Sequence, residues 1–148
     1  ELPYLDIESD LITANDGDTI TLGNTTAKII NTPGHTAGGV CYLLDGHIVV
    51  GDTLFVYGAG HCALPGADIR ELYYSMQKLN QVDDKVMLHC GHDYGYKINT
   101  TMGEQKTGNA FLLIDDETDF VNFVNGMSQG LIPYPTEALS LQEVKAML

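Results

Sequence analysis

Thr32-Pro33-Gly34-His35-Thr36, Gly51-Asp52-Thr53-Leu54-Phe55 and Cys90-Gly91-His92-Asp93-Tyr94 each follow a β-like apolar run, and each presents a metal-ligating type of side chain directly after a glycine. Ala27-Lys28-Ile29-Ile30 leads into Pro33-Gly34, where proline removes a ladder donor and ends the strand. Val40-Cys41-Tyr42-Leu43-Leu44 and His47-Ile48-Val49-Val50 flank Asp45-Gly46, a two-residue type I′ hairpin signature, so Asp52 lies at the hairpin exit. Lys85-Val86-Met87-Leu88 is a short strand of the buried type that runs into Gly91-His92. These patterns predict one sheet edge that gathers His35, Asp52 and His92 on loops whose bases the sheet fixes. The preceding glycines allow the tight turns that present each side chain.

Outward from this edge, Asp16-Gly17-Asp18 signals a turn and Thr19-Ile20-Thr21-Leu22 alternates as a half-buried strand does. Ile69, Leu72, Tyr73, Met76 and Leu79 recur at helical spacing behind Asp68, a suitable N-cap. The stretch from Thr100 to Asn109 is polar. Phe111-Leu112-Leu113-Ile114 and Asp115-Asp116 precede an amphipathic helix with Phe120, Val121, Phe123 and Val124, expected to end at Gly126 or Gly130. Ser140-Leu141-Gln142-Glu143 is a capping box that opens a short final helix. The fold class is α/β, layered, with a mixed sheet and helices on one face. Residues 1–148 are expected to form a single domain with a helical tail over about 115–148.

The chain has 148 residues, 44% of them hydrophobic, which suits one core and not two. Its formal charge of −13, from 20 acidic and 7 basic residues, disfavours nucleic-acid partners, which need clustered Lys and Arg. No apolar window approaches the roughly 20 residues of a membrane span, and the N-terminus lacks signal-peptide character, so a cytoplasmic protein away from membranes is expected. Cys41, Cys62 and Cys90 are odd in number and never form CxxC, so reduced thiols are expected. Glu1-Leu2-Pro3-Tyr4 has no start-like character, which suggests that residues upstream are absent.

Two neutral imidazoles and a carboxylate, with a coordination position left open, suit a divalent or ferrous ion. A single Gly-His or Gly-Asp is an ordinary turn; the signal is three in order. That series resembles the second half of the metallo-β-lactamase superfamily, in particular its thiol-metabolising branch of persulfide dioxygenases and glyoxalase II-like hydrolases, through Thr32 to Val40, Gly51 to Gly60 and Gly91 to Tyr94. The likeness extends from about Asp16 to about Pro135. Gly103-Glu104-Gln105-Lys106-Thr107-Gly108-Asn109 resembles the segment after the branch's last metal loop, and Asp119-Phe120-Val121 with Leu131-Ile132-Pro133 resembles the dioxygenases' closing helix.

The resemblance implies half of an αβ/βα sandwich and zinc or iron, as one or two ions. His35 would be a primary metal ligand, Asp52 a terminal or bridging ligand with a catalytic role, and His92 a second-metal ligand or an outer residue. Tyr94 would orient substrate, with a buried structural tyrosine as the alternative. The implied chemistry is thioester hydrolysis or persulfide dioxygenation on a small thiol-derived substrate such as a glutathione conjugate.

Two departures qualify it. No His-x-His-x-Asp-His cluster occurs, so the remaining ligands are expected from an upstream segment or a complementing N-terminal half; a homo-oligomer or a non-catalytic scaffold remnant are the other readings. His61 stands where the branch carries an arginine for the glutathione carboxylate, so a fixed bidentate donor is missing and His61 is left as a weaker substrate-binding candidate. Cys62 is either redox-active or a small loop residue. His47 and His89 are expected to be structural, Cys41 and Cys90 small packing groups, and Tyr73 and Tyr74 helix packing residues.

Overall fold

The computed structural model describes residues 13–94 and 97–148; the Glu1 to Tyr4 segment lies outside the described residues. Eight strands form: β1 (Thr19–Leu22), β2 (Thr25–Asn31), β3 (Val40–Leu44), β4 (His47–Gly51), β5 (Leu54–Phe55), β6 (Gly58–Ala59), β7 (Met87–Cys90) and β8 (Thr100–Thr101). Between them and after them come α1 (Ile69–Leu79), α2 (Met102–Gly108), α3 (Ala110–Leu113), α4 (Glu117–Ser128) and α5 (Leu141–Met147). Six strands make a mixed sheet in the order β1-β2-β3-β4-β7-β8, and β5 pairs with β6 apart from it.

The expected sheet edge forms for a topological reason. β2, β3 and β4 pair antiparallel in succession, so β2 and β4 run the same way, and β7 pairs parallel to β4. The ends of β2, β4 and β7 therefore open at one edge, with His35, Asp52 and His92 just beyond them. Parallel pairing needs a crossover, which α1 supplies. Asp68 caps that helix through Oδ1, accepting from the backbone N–H groups of Arg70 and Glu71.

Alternation along the strands sends Cys41, Ile48, Val50 and Leu88 into one core with Leu72, Met76, Phe111, Phe120 and Phe123. On the opposite sheet face Tyr42 and Val49 are exposed. Tyr73 and Tyr74 pack α1 against the start of α4, their hydroxyls donating to the Asp115 carbonyl and the Glu117 carboxylate.

Three local expectations shift. β7 begins at Met87 rather than Lys85, because Val86 N–H closes a turn onto the Asp83 carbonyl. The polar stretch from Thr100 folds as β8 and α2, with Thr101 and Glu104 forming a reciprocal capping box. α4 passes through Gly126, where a Cβ would stand 2.7 Å from Ile132, and stops before Gly130, whose φ of 71° continues no helix. No helix among the described residues is long and apolar enough to cross a membrane.

Candidate metal centre

The His35 and Asp52 loops are tied to each other and to α1. Thr32 and Thr53, both buried, meet through their hydroxyls at 3.1 Å and so join the His35 loop to the Asp52 loop. The Pro33 carbonyl accepts from Ser75 Oγ and the Gly34 carbonyl from Asp68 N–H, both in or capping α1. The glycines serve distinct purposes. Gly34 has φ 138° and leaves no space, since a Cβ would lie 2.4 Å from Leu72 Cα; Gly51 has φ 53° in open space; Gly91 matters for room alone, since a Cβ would lie 2.3 Å from Asp52 Oδ1.

Asp52 Oδ2 lies 3.3 Å from His92 Nε2 and 3.9 Å from His35 Nε2. Around one ion with bonds of about 2.1 Å, neighbouring donors stand about 3 to 3.4 Å apart, so the first separation fits and the second is open by about half an ångström. Among the described residues no three His, Cys, Asp or Glu side chains are already closed into one ligand group. The donor chemistry nonetheless fits a cation. His35 Nδ1 lies 2.6 Å from the His61 carbonyl, which can only accept, so Nδ1 carries a proton and a metal can be taken only at Nε2, the nitrogen that faces Asp52. Gly60 makes room for that ring, because a Cβ there would lie 2.6 Å from His35 Cγ and 2.2 Å from the Asp52 carbonyl.

The sequence-predicted residues thus come together, with His61 contributing its backbone carbonyl. The His61 ring stands edge-on to His35 at 5.2 Å, and its Nδ1 accepts from Ala63 N–H. Tyr94 is exposed and sits edge-on to Phe55 at 5.1 Å, with the His92 ring also 5.1 Å away, so it is no buried structural tyrosine.

All three cysteines are free. Burial is the main cause that pushes the thiols of Cys62 and Cys90 up to about 11 and also raises Cys41. Thiols held that high stay protonated near neutrality, which removes the thiolate that a redox role for Cys62 needs. His47 and His89 stand apart on the exposed sheet face, with Nδ1 of one 3.0 Å from Nε2 of the other.

Several residues shape the site from outside the donor loops, Gln105 and Asn109 within the segment already likened to the family and Tyr57 and Tyr134 without a sequence signal of their own. Asn109 Nδ2 donates to the Phe55 and Gly58 carbonyls, and Gln105 Oε1 accepts from Tyr57 N–H at 2.7 Å. Tyr57 holds φ 62°, an unfavourable conformation for a non-glycine residue, and the buried amides brace it. Tyr134 Oη donates to the Ala59 carbonyl and accepts from Ala59 N–H, and burial pushes its phenol up to about 12. A cleft of about 520 Å³ lies over the donors, walled by Phe55, His61, Leu64, Tyr94 and Tyr134.

The sheet, its helix-covered face and the donor edge define the class: the chain belongs to the metallo-β-lactamase superfamily and corresponds to its C-terminal half. No family model matches it. It is 36% identical over 121 residues to a probable polyketide biosynthesis zinc-dependent hydrolase of Bacillus velezensis, covering 81% of this chain and 54% of the relative. It is 43% identical over 81 residues to a hydroxyacylglutathione hydrolase of Maricaulis maris, covering 53% of this chain and 31% of the relative. The crystal structure of ETHE1 from Myxococcus xanthus superposes with a TM-score of 0.73 at 26% identity, covering 91% of this chain and 58% of that one. The chain spans about half the length, or less, of the curated relatives it matches.

Proposed function

We propose that this chain forms one wall of a zinc-dependent thioester hydrolase, with His35 and Asp52 as primary metal ligands and His92 as a ligand of a second ion or an outer residue. The observation that carries the reading is the convergence of both imidazole Nε2 atoms on Asp52 Oδ2, with His35 oriented by the His61 carbonyl. Kinship with a zinc-dependent hydrolase and a hydroxyacylglutathione hydrolase supports zinc and hydrolysis. When bound, the ion supplies Lewis acidity that polarises the thioester carbonyl and acidifies water. His35 and His92 offer neutral donors, Asp52 sits between them as a terminal or bridging carboxylate, and Phe55 and Leu64 exclude bulk water from one side. Tyr94 presents its phenol at the mouth, where it donates a hydrogen bond to the substrate.

The remaining ligands come from a complementing N-terminal half. The absence of a His-x-His-x-Asp-His cluster from the sequence and the exposed Tyr42 and Val49 on the face away from the helices support this. Three free thiols support a reducing, cytoplasmic setting.

Zinc titration of the purified chain, followed by metal analysis of the completed protein, tests the reading. Zinc is expected to bind the chain weakly and the completed protein stoichiometrically, and Asp52→Ala to abolish binding in both. Zinc content unchanged in that variant overturns the ligand set, and iron in its place overturns the zinc assignment.

A further inference from the structure

Apart from its histidines and the proposed metal, the cleft offers no cationic side chain among the described residues with which to grip an anionic substrate. None of its lining residues is Lys or Arg. Of the 7 basic residues in the chain, Arg70, Lys78, Lys97 and Lys106 are already paired with Glu117, Asp16, Glu104 and Asp84. A thiol carrier with free carboxylates would enter an acidic protein without a fixed partner.

Beside the cleft lies a second cavity of about 150 Å³ that shares Gly60, His61 and Tyr134 with it and deepens between Cys62, Phe111, Val124 and Met127. Its polar groups are engaged within the protein. The Tyr134 hydroxyl is held on Ala59, the Ser128 hydroxyl donates to the Val124 carbonyl, and burial with the nearby Asp68 charge keeps the Cys62 thiol protonated. What remains on offer is mostly apolar surface, from the partly buried Met127 and Cys62 with Phe111 and Val124 packed behind them. An apolar cavity of about 150 Å³ accommodates a group the size of benzene, about six carbons.

We propose that this side cavity seats an apolar acyl chain of about four to six carbons, and that the substrate is an acyl thioester of an uncharged thiol. The inference rests on the thioester-hydrolase reading for its chemistry, though the cavity's selectivity is measurable without turnover. The carbonyl would lie in the cleft under the donors while the chain turns past Tyr134 into the cavity. The catalytic ligands thus serve a thioester chosen by its acyl side.

The test uses the 148-residue chain, titrated with S-acetyl-, S-butyryl- and S-hexanoyl-N-acetylcysteamine and with S-hexanoylglutathione, read by amide chemical-shift changes with and without zinc. Affinity for the neutral probes is expected to rise about fourfold per added methylene up to six carbons. The glutathione probe should bind no better than its neutral counterpart. Met127→Trp, which fills the cavity, should flatten the chain-length dependence while leaving zinc binding unchanged; Ser128→Leu is the second variant should the first fail to fold. Equal affinity for the acetyl and hexanoyl probes, no binding of any probe, tighter binding of the glutathione probe, or a chain-length dependence that survives in a folded filled variant overturns the proposal. Loss of zinc binding with acyl selectivity retained overturns the hydrolase reading and leaves the cavity assignment standing.

Discussion

The His35 wall and the His92 wall face one another across Asp52, but they are held by different means. The His35 side chain is 14% exposed, its Nδ1 is fixed by the His61 carbonyl, and its loop is joined to the Asp52 loop through Thr32 and Thr53. The His92 side chain is 52% exposed and leans on Phe55 and Tyr94 through ring contacts. A short hydrogen bond to a fixed carbonyl, backed by the buried Thr32–Thr53 pair, leaves His35 few arrangements, whereas exposed ring contacts worth about 1 kcal/mol leave His92 several. One wall is therefore held more firmly by this chain than the other.

Zinc affinity breaks or sharpens this contrast most directly. His35→Ala should lower it at least about 100-fold, more than outer partners alone cost, and His92→Ala by about 10-fold if one ion is held. Equal losses by calorimetric titration would dissolve the distinction between the walls, and a large loss for His92→Ala would instead indicate a two-ion site. Gly60→Ala comes next: its Cβ would press on the His35 ring and the Asp52 carbonyl, so zinc affinity should fall and denaturant unfolding should show a loss of about 3 kcal/mol.

Asn109→Ala strips the bracket beneath both walls and leaves two buried carbonyls without their donor, for about 2 kcal/mol by the same measurement. Its effect on zinc affinity should be smaller than its effect on stability, since it touches no donor. The smallest effect lies away from the cleft. Hydrogen bonding from Lys97, Thr100 and Thr101 holds the Glu104 carboxyl at about 2, below its ordinary 4.5. A depressed folded value means the contribution is present above about pH 4.5 and is lost as pH falls towards about 2. Glu104→Gln should lower thermal stability slightly at neutral pH and match the parent near pH 2, so that its stability varies less across that window, the exposed setting keeping the effect small.

Much of the donor edge was legible because its signals are local. Proline after β2, Asp45-Gly46 between β3 and β4, and Asp68 and Ser140 as caps each act within a few residues, so each could be read where it stood. α2 escaped that reading because its stretch shows no apolar period; its buried amides face β5 and β6 from 48 to 54 residues away in sequence. Tyr134 shaped the cleft unannounced for a similar reason, its partner Ala59 being 75 residues earlier.

The sequence by itself determined the three candidate donors, their order and the glycine before each, since these are properties of strand ends and turns. It also determined that the His-x-His-x-Asp-His cluster is absent and that His61 stands in place of an arginine. Only the tertiary structure decided that Gly34 and Gly91 serve close packing, that His61 acts through its carbonyl, and that an apolar side cavity adjoins the cleft. Space between distant segments and the direction of a lone pair depend on three-dimensional packing, which no local pattern encodes.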